Sequence, residues 1–157
     1  MRTKGIAMSA RARSATTRLT PAPPLTAAYH LPADARSARR ARDGLREQLR
    51  IWGIDGELAD VAELLASELV ANAVTATLRT DRTDIGFRAD LSAGRLRLEV
   101  DDASDQLPLI TQAEEDEECG RGLLLVNALA SSWGVIVRGA TEKTVWAELT
   151  LPDAPDT

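Results

Sequence analysis

Apolar residues recur along this chain with two different periods, and the changes between them mark out the elements. Between Asp34 and Ile51, Ala38, Ala41, Leu45, Leu49 and then Trp52 fall three or four apart, with Arg36, Arg39, Arg46 and Arg50 on another side. That is the pattern of an amphipathic helix. Ahead of it Ala28–Leu31 reads as a short strand stopped by Pro32, and Asp34 is placed to cap the helix. Gly53 ends the helix and Asp55-Gly56 makes a turn; Leu58, Val61, Leu65, Leu69 and Ala73 then line a second helix reaching about Thr77.

From Thr83 the period falls to two. Ile85, Phe87, Ala89 and Leu91 alternate with polar residues, Ser92-Ala93-Gly94 turns the chain, and Leu96, Leu98 and Val100 alternate again, which predicts a hairpin. The stretch from Ala103 to Glu118 sustains no period and contains five consecutive acids at 114–118, so it reads as a loop of about 16 residues. Loops of that length in a compact domain are often functional lids. Gly120-Arg121-Gly122 then opens a third helix, Leu123 to Ala130, and Trp133–Arg138 with Lys143–Leu151 form a closing hairpin. The order of strand, two helices, two strands, long loop, helix and two strands predicts an α+β two-layer sandwich. Its sheet is mixed but mostly antiparallel, with about three helices on one face. It lacks the strand-helix alternation of a doubly wound fold, and no Gly-x-x-x-x-Gly-Lys-Ser/Thr phosphate loop is present.

Length and composition narrow the chemistry. A chain of 157 residues holds one domain, expected over 27–152, with a basic disordered leader at 1–26 and a flexible tail at 153–157. No uncharged apolar run approaches the roughly 20 residues of a membrane span. The start carries no apolar stretch of the secretory kind, so the expected location is cytoplasmic and no membrane partner is expected. One cysteine, Cys119, and one histidine, His30, exclude an internal disulfide, a structural zinc site and histidine-based triads. All 24 acids but only 14 of the 19 bases fall in residues 27–157. The folded part is therefore acidic and is not expected to bind nucleic acid.

Three places are chemically loaded. Glu68 and Asn72 stand one turn apart in the second helix, where a carboxylate and a carboxamide can share work around a hard cation; a solvated glutamate and a local side-chain hydrogen bond fit the same pattern. Asp101-Asp102-Ala103-Ser104 leaves a strand, where a carboxylate can accept from an exocyclic amine or can cap a turn. Gly120-Arg121-Gly122-Leu123 at a helix start lets backbone amides approach an anion, with Arg121 the nearby cation, or serves as a flexible hinge. The arginine face of the first helix is either solvated or a docking surface for an acidic protein.

The order and spacing of these boxes, followed by Lys143-Thr144-Val145-Trp146 in a terminal strand, resemble the GHKL, or Bergerat-fold, ATP-binding superfamily over roughly residues 28–151. The phrases Ser67-Glu68-Leu69-Val70-Ala71-Asn72, Leu107-Pro108, Gly120-Arg121-Gly122-Leu123-Leu124 and Thr144-Val145-Trp146-Ala147-Glu148-Leu149 look like the small actinobacterial anti-sigma-factor serine/threonine kinases. The resemblance implies ATP and Mg²⁺ as cofactors. It implies that Asn72 coordinates the metal, Asp102 with its Asp-x-Ser104 box receives the adenine amine, and Gly120, Arg121, Gly122 and Leu123 line the phosphates beneath a mobile lid. Thr144 would support the adenine side and Glu68 would be the general base. It further implies a sigma factor and an anti-anti-sigma antagonist protein as partners, with a homodimer as a further association. Two positions depart from the family pattern: Ala76 stands where a histidine is common, and Ser104 where a glycine is usual. A non-catalytic module of the same fold that holds a protein partner is the rival expectation.

Overall fold

The computed structural model describes residues 25–102 and 118–152. The elements are β1 (Leu25–Pro32), α1 (Ser37–Ile51), α2 (Gly56–Thr77), β2 (Asp84–Ser92), β3 (Arg95–Asp102), α3 (Glu118–Leu129), β4 (Ser132–Arg138) and β5 (Glu142–Thr150). Among the described residues the strands form one sheet in the order β1-β2-β3-β5-β4, with all four pairings antiparallel. The helices lie on one face, which makes the α+β sandwich expected from the pattern. The leader before residue 25, the segment 103–117 with its expected lid, Ser104 and the tail from 153 lie outside the described residues.

Strand alternation sorts side chains between the two faces. Ile85, Phe87, Ala89, Leu96, Leu98, Val100, Val145, Ala147 and Leu149 are buried toward the helices. The other face carries a charged lattice: Arg97 pairs with Glu99 at 2.6 Å and Glu148 at 2.8 Å, Arg88 with Glu99 and Asp90, and the Arg97 guanidinium lies 4.2 Å from the Trp146 ring centre. Burial works against the Arg97 charge, and the hydrogen bonds and charges of Glu99 and Glu148 outweigh it, so the guanidinium holds its proton more tightly than a free arginine.

α2 is the central helix. It packs against α1, α3 and the sheet, and buries Ala59, Ala62, Leu65, Ala66, Leu69, Val70, Ala73, Val74 and Thr77. The single stripe read from the sequence misses this, because a helix flanked on three sides is apolar around most of its circumference. Leu58 and Val61, expected in the stripe, are only partly buried. α1 keeps its one-sided pattern, with Ala41, Leu45 and Leu49 fully buried.

The ends show where local chemistry was readable. Gly53, at φ +79°, follows α1 in a Schellman motif: its N–H donates to the Arg50 carbonyl at 3.1 Å, and the Ile54 N–H to the Leu49 carbonyl at 2.8 Å. Asp34 does not cap the helix directly. Its carboxylate accepts from the Arg36 N–H at 2.8 Å, holding the turn that precedes α1, which starts three residues later than expected. β1 begins at Leu25, inside the segment assigned to the leader. α3 starts at Glu118 and takes Gly120 and Gly122 into its first turns instead of leaving them in a hinge. Glycine costs a helix interior only about 1 kcal/mol, and burial of Leu123 and Val126 against the core outweighs that.

Candidate functional site

The candidate residues stand on α2, in the opening turns of α3 and at the ends of β3 and β5. Glu68 and Asn72 are both half-buried, one turn apart on α2. The Asn72 Nδ2 is buried and meets no hydrogen-bond partner among the described residues; on α2 only the Thr77 Oγ1 shares that condition. A buried polar atom left unpaired costs about 1–3 kcal/mol, and asparagine is a poor helix former. Two local penalties at one position point to a ligand that satisfies the amide. The carboxamide offers an acceptor oxygen and a donor nitrogen, which suits an oxygen-ligated cation or a phosphate. Among the described residues no three His, Cys, Asp or Glu side chains cluster to hold a metal by themselves.

Asp102, the last residue of β3, is buried on the helix-covered face. Its Oδ1 accepts from the Lys143 Nζ at 2.8 Å, across the register pair that joins β3 to β5. Thr144, one residue further along β5, therefore points to the opposite face. Its hydroxyl donates to Asp101 and accepts from the Arg138 Nε at 2.8 Å, fully buried between them. The sheet thus brings Asp102 and Thr144 onto neighbouring rungs of one ladder but on opposite faces. A cavity of about 210 Å³ opens at this end of the sheet, lined by Asp101, Asp102, Lys143, Arg138 and Arg82 among others. Gly120 and Gly122 lie in the opening turns of α3, whose backbone N–H groups carry the positive end of the helix. Leu123 is buried in the core beside them.

The box around Thr144 does not by itself single out Lys143, yet the sequence carries a signal for it. Lys143, Val145, Ala147 and Leu149 alternate, which puts the lysine at the end of an apolar row. A lysine in such a place demands an acid partner. The arginine face of α1 is less bare than its pattern implied. Arg46 pairs with Glu63 at 2.7 Å and with Asp43 at 3.7 Å, Arg39 with Asp43 at 3.9 Å, and Arg50 with Glu47.

A family model described as "Histidine kinase-like ATPase domain" matches residues 31–149. The chain belongs to the histidine kinase-like ATPase domain family. That membership carries ATP binding as the property of the fold described above. Among solved structures, the RsbU and RsbW domains of Rv1364c from Mycobacterium tuberculosis share 29% identity at a TM-score of 0.63, covering 83% of this chain and 33% of that one. The present chain thus spans about a third of the length of that relative. A second structure, the SiaB-SiaC complex from Pseudomonas aeruginosa, matches at 12% identity and a TM-score of 0.59, over 78% of this chain and 88% of that one, and shows the shared fold. No curated protein matches the sequence. Among the described residues no helix is long and apolar enough to cross a membrane.

Proposed function

We propose that this chain is an anti-sigma-type serine/threonine protein kinase, which moves the γ-phosphoryl group of Mg-ATP to a serine of an antagonist protein and separately holds a sigma factor. The observation that carries the reading is the buried Asn72 amide, unpartnered among the described residues and one turn from Glu68, on the central helix of an ATPase-family fold. The RsbW domain in one structural relative and the two-protein complex of the other support a partner-directed role.

In this reading Asn72 is the protein's ligand to Mg²⁺, which when bound neutralises phosphate charge. The opening turns of α3, with Gly120 and Gly122 free of side chains, receive the phosphates at a helix N-terminus; the Arg121 side chain lies outside the described residues. Asp102 accepts the adenine amine, and Thr144 supports it from the far face by fixing the adjacent Asp101. Glu68 orients the serine hydroxyl and takes its proton as the serine oxygen bonds to phosphorus and the β–γ bridge breaks, releasing ADP.

The rival module, which holds a partner without chemistry, is favoured by one feature: the five acids at 114–118 would repel a triphosphate. Glu68→Gln separates the two. It keeps size and helix position but cannot accept the proton, so calorimetry should show ATP bound as in wild type. Transfer of labelled γ-phosphate to a co-encoded antagonist should fall by about 10²- to 10⁴-fold. Transfer at the wild-type rate would remove Glu68 from the mechanism. Nucleotide binding without any transfer by wild type would leave the rival standing.

A further inference from the structure

We propose that Lys143 is a positioning residue for base recognition: it holds the Asp102 carboxylate as the acceptor that selects adenine, so selectivity runs through the pair and not through Asp102 alone. This rests on the nucleotide-binding reading and concerns how that site tells one base from another. Both side chains are almost wholly buried, 6% exposed for Lys143 and 3% for Asp102, and Nζ meets Oδ1 at 2.8 Å. The pair closes the end of an apolar face, with Leu96, Leu98 and Val100 before it on β3 and Val145, Ala147 and Leu149 after it on β5. In such surroundings a carboxylate without its cation either turns toward water or takes up a proton.

Either change alters what the base meets. Adenine presents an amine at the position where guanine presents a carbonyl oxygen. An ionised carboxylate only accepts and so favours the amine, whereas a protonated carboxyl also donates and accommodates the carbonyl. A lysine ammonium meets a carboxylate as a point charge, whereas an arginine fork tends to take both oxygens at once. The choice is conspicuous in a chain whose basic residues are otherwise arginine apart from Lys4.

The test is a double-mutant cycle read by calorimetry with Mg-ATP and Mg-GTP on the full chain, using Lys143→Met, Asp102→Asn and the double variant, with folding checked by circular dichroism. Lys143→Met should weaken ATP binding about tenfold and move the ATP/GTP ratio toward one. In the Asp102→Asn background the same change should alter ATP affinity less than about twofold, because the carboxylate through which Lys143 acts is already gone. A pair that only braces the sheet weakens both nucleotides alike and leaves the ATP/GTP ratio unchanged, and that result overturns the proposal. Should Lys143→Met fail to fold, Lys143→Gln, which keeps a donor without the charge, takes its place in the cycle with the same results expected and the same result overturning. Wild type that binds neither nucleotide overturns the underlying reading along with this one; wild type that binds ATP while the cycle is additive overturns this one alone.

Discussion

Replacing Asn72 by alanine should make the unliganded protein more stable while removing its ability to bind Mg-nucleotide. The structure supplies both halves. Asn72 is an interior residue toward the C-terminal end of the 22-residue α2, where alanine is favoured over asparagine by up to about 0.7 kcal/mol. Its Nδ2 is buried without a partner among the described residues, and relief of such a group returns about 1–3 kcal/mol. Against this stands the packing of a small, half-buried side chain, worth a fraction of a large apolar residue. The net expectation is a gain of about 1–3 kcal/mol without ligand. At roughly 2–4 °C per kcal/mol for a chain of this size, the melting temperature should rise by about 2–12 °C. Calorimetric melting of both proteins without nucleotide measures the first half, and titration with Mg-ATP the second. A destabilised variant would show that the amide has a structural partner. Wild-type affinity in the variant would show that the amide is not the metal's ligand. Opposite signs for stability and binding are the signature of a residue kept for its ligand.

Two further predictions concern the scaffold. The β2–β3 turn has Ala93 at φ +52° and Gly94 at φ +74°, both in the left-handed region that two-residue hairpin turns require. Ala93→Asn should therefore stabilise the fold by about 0.5–1 kcal/mol in urea unfolding, and a neutral or destabilising result would mean the hairpin turns differently. Tyr29 stacks on Phe87 at 5.6 Å and donates to the Gly44 carbonyl at 3.1 Å, and burial pushes its phenol above the usual value of 10.0. Its contribution is whole below pH 10 and is lost as pH rises through the elevated folded-state value. Tyr29→Phe should cost about 0.5–1.5 kcal/mol at pH 8, and the gap to wild type should shrink above pH 10; a constant gap in denaturant melts across that range would refute the assignment.

Periodicity alone was enough to place most elements, because the alternations at Ile85–Leu91 and Leu96–Val100 and the three-four spacing of α1 are each imposed by a single neighbouring layer. The Schellman end of α1 was equally legible, since Gly53 acts through its own φ and its near neighbours. The candidate residues Glu68 and Asn72 could be put on one helix face for the same reason: four residues make about one turn. What the sequence could not decide were facts of register and enclosure. That Asp102 pairs with Lys143, and that Thr144 faces away with Asp101, depends on how β3 meets β5. The partners are 41 and 43 residues apart, and a shift of one residue would exchange their faces. That α2 is buried on several sides, and that the Asn72 Nδ2 is sealed from water without a partner among the described residues, depends on α1, α3 and the sheet closing around it. Local pattern reports which side of an element is apolar; only the packed neighbours determine which polar groups are left to be satisfied by something else.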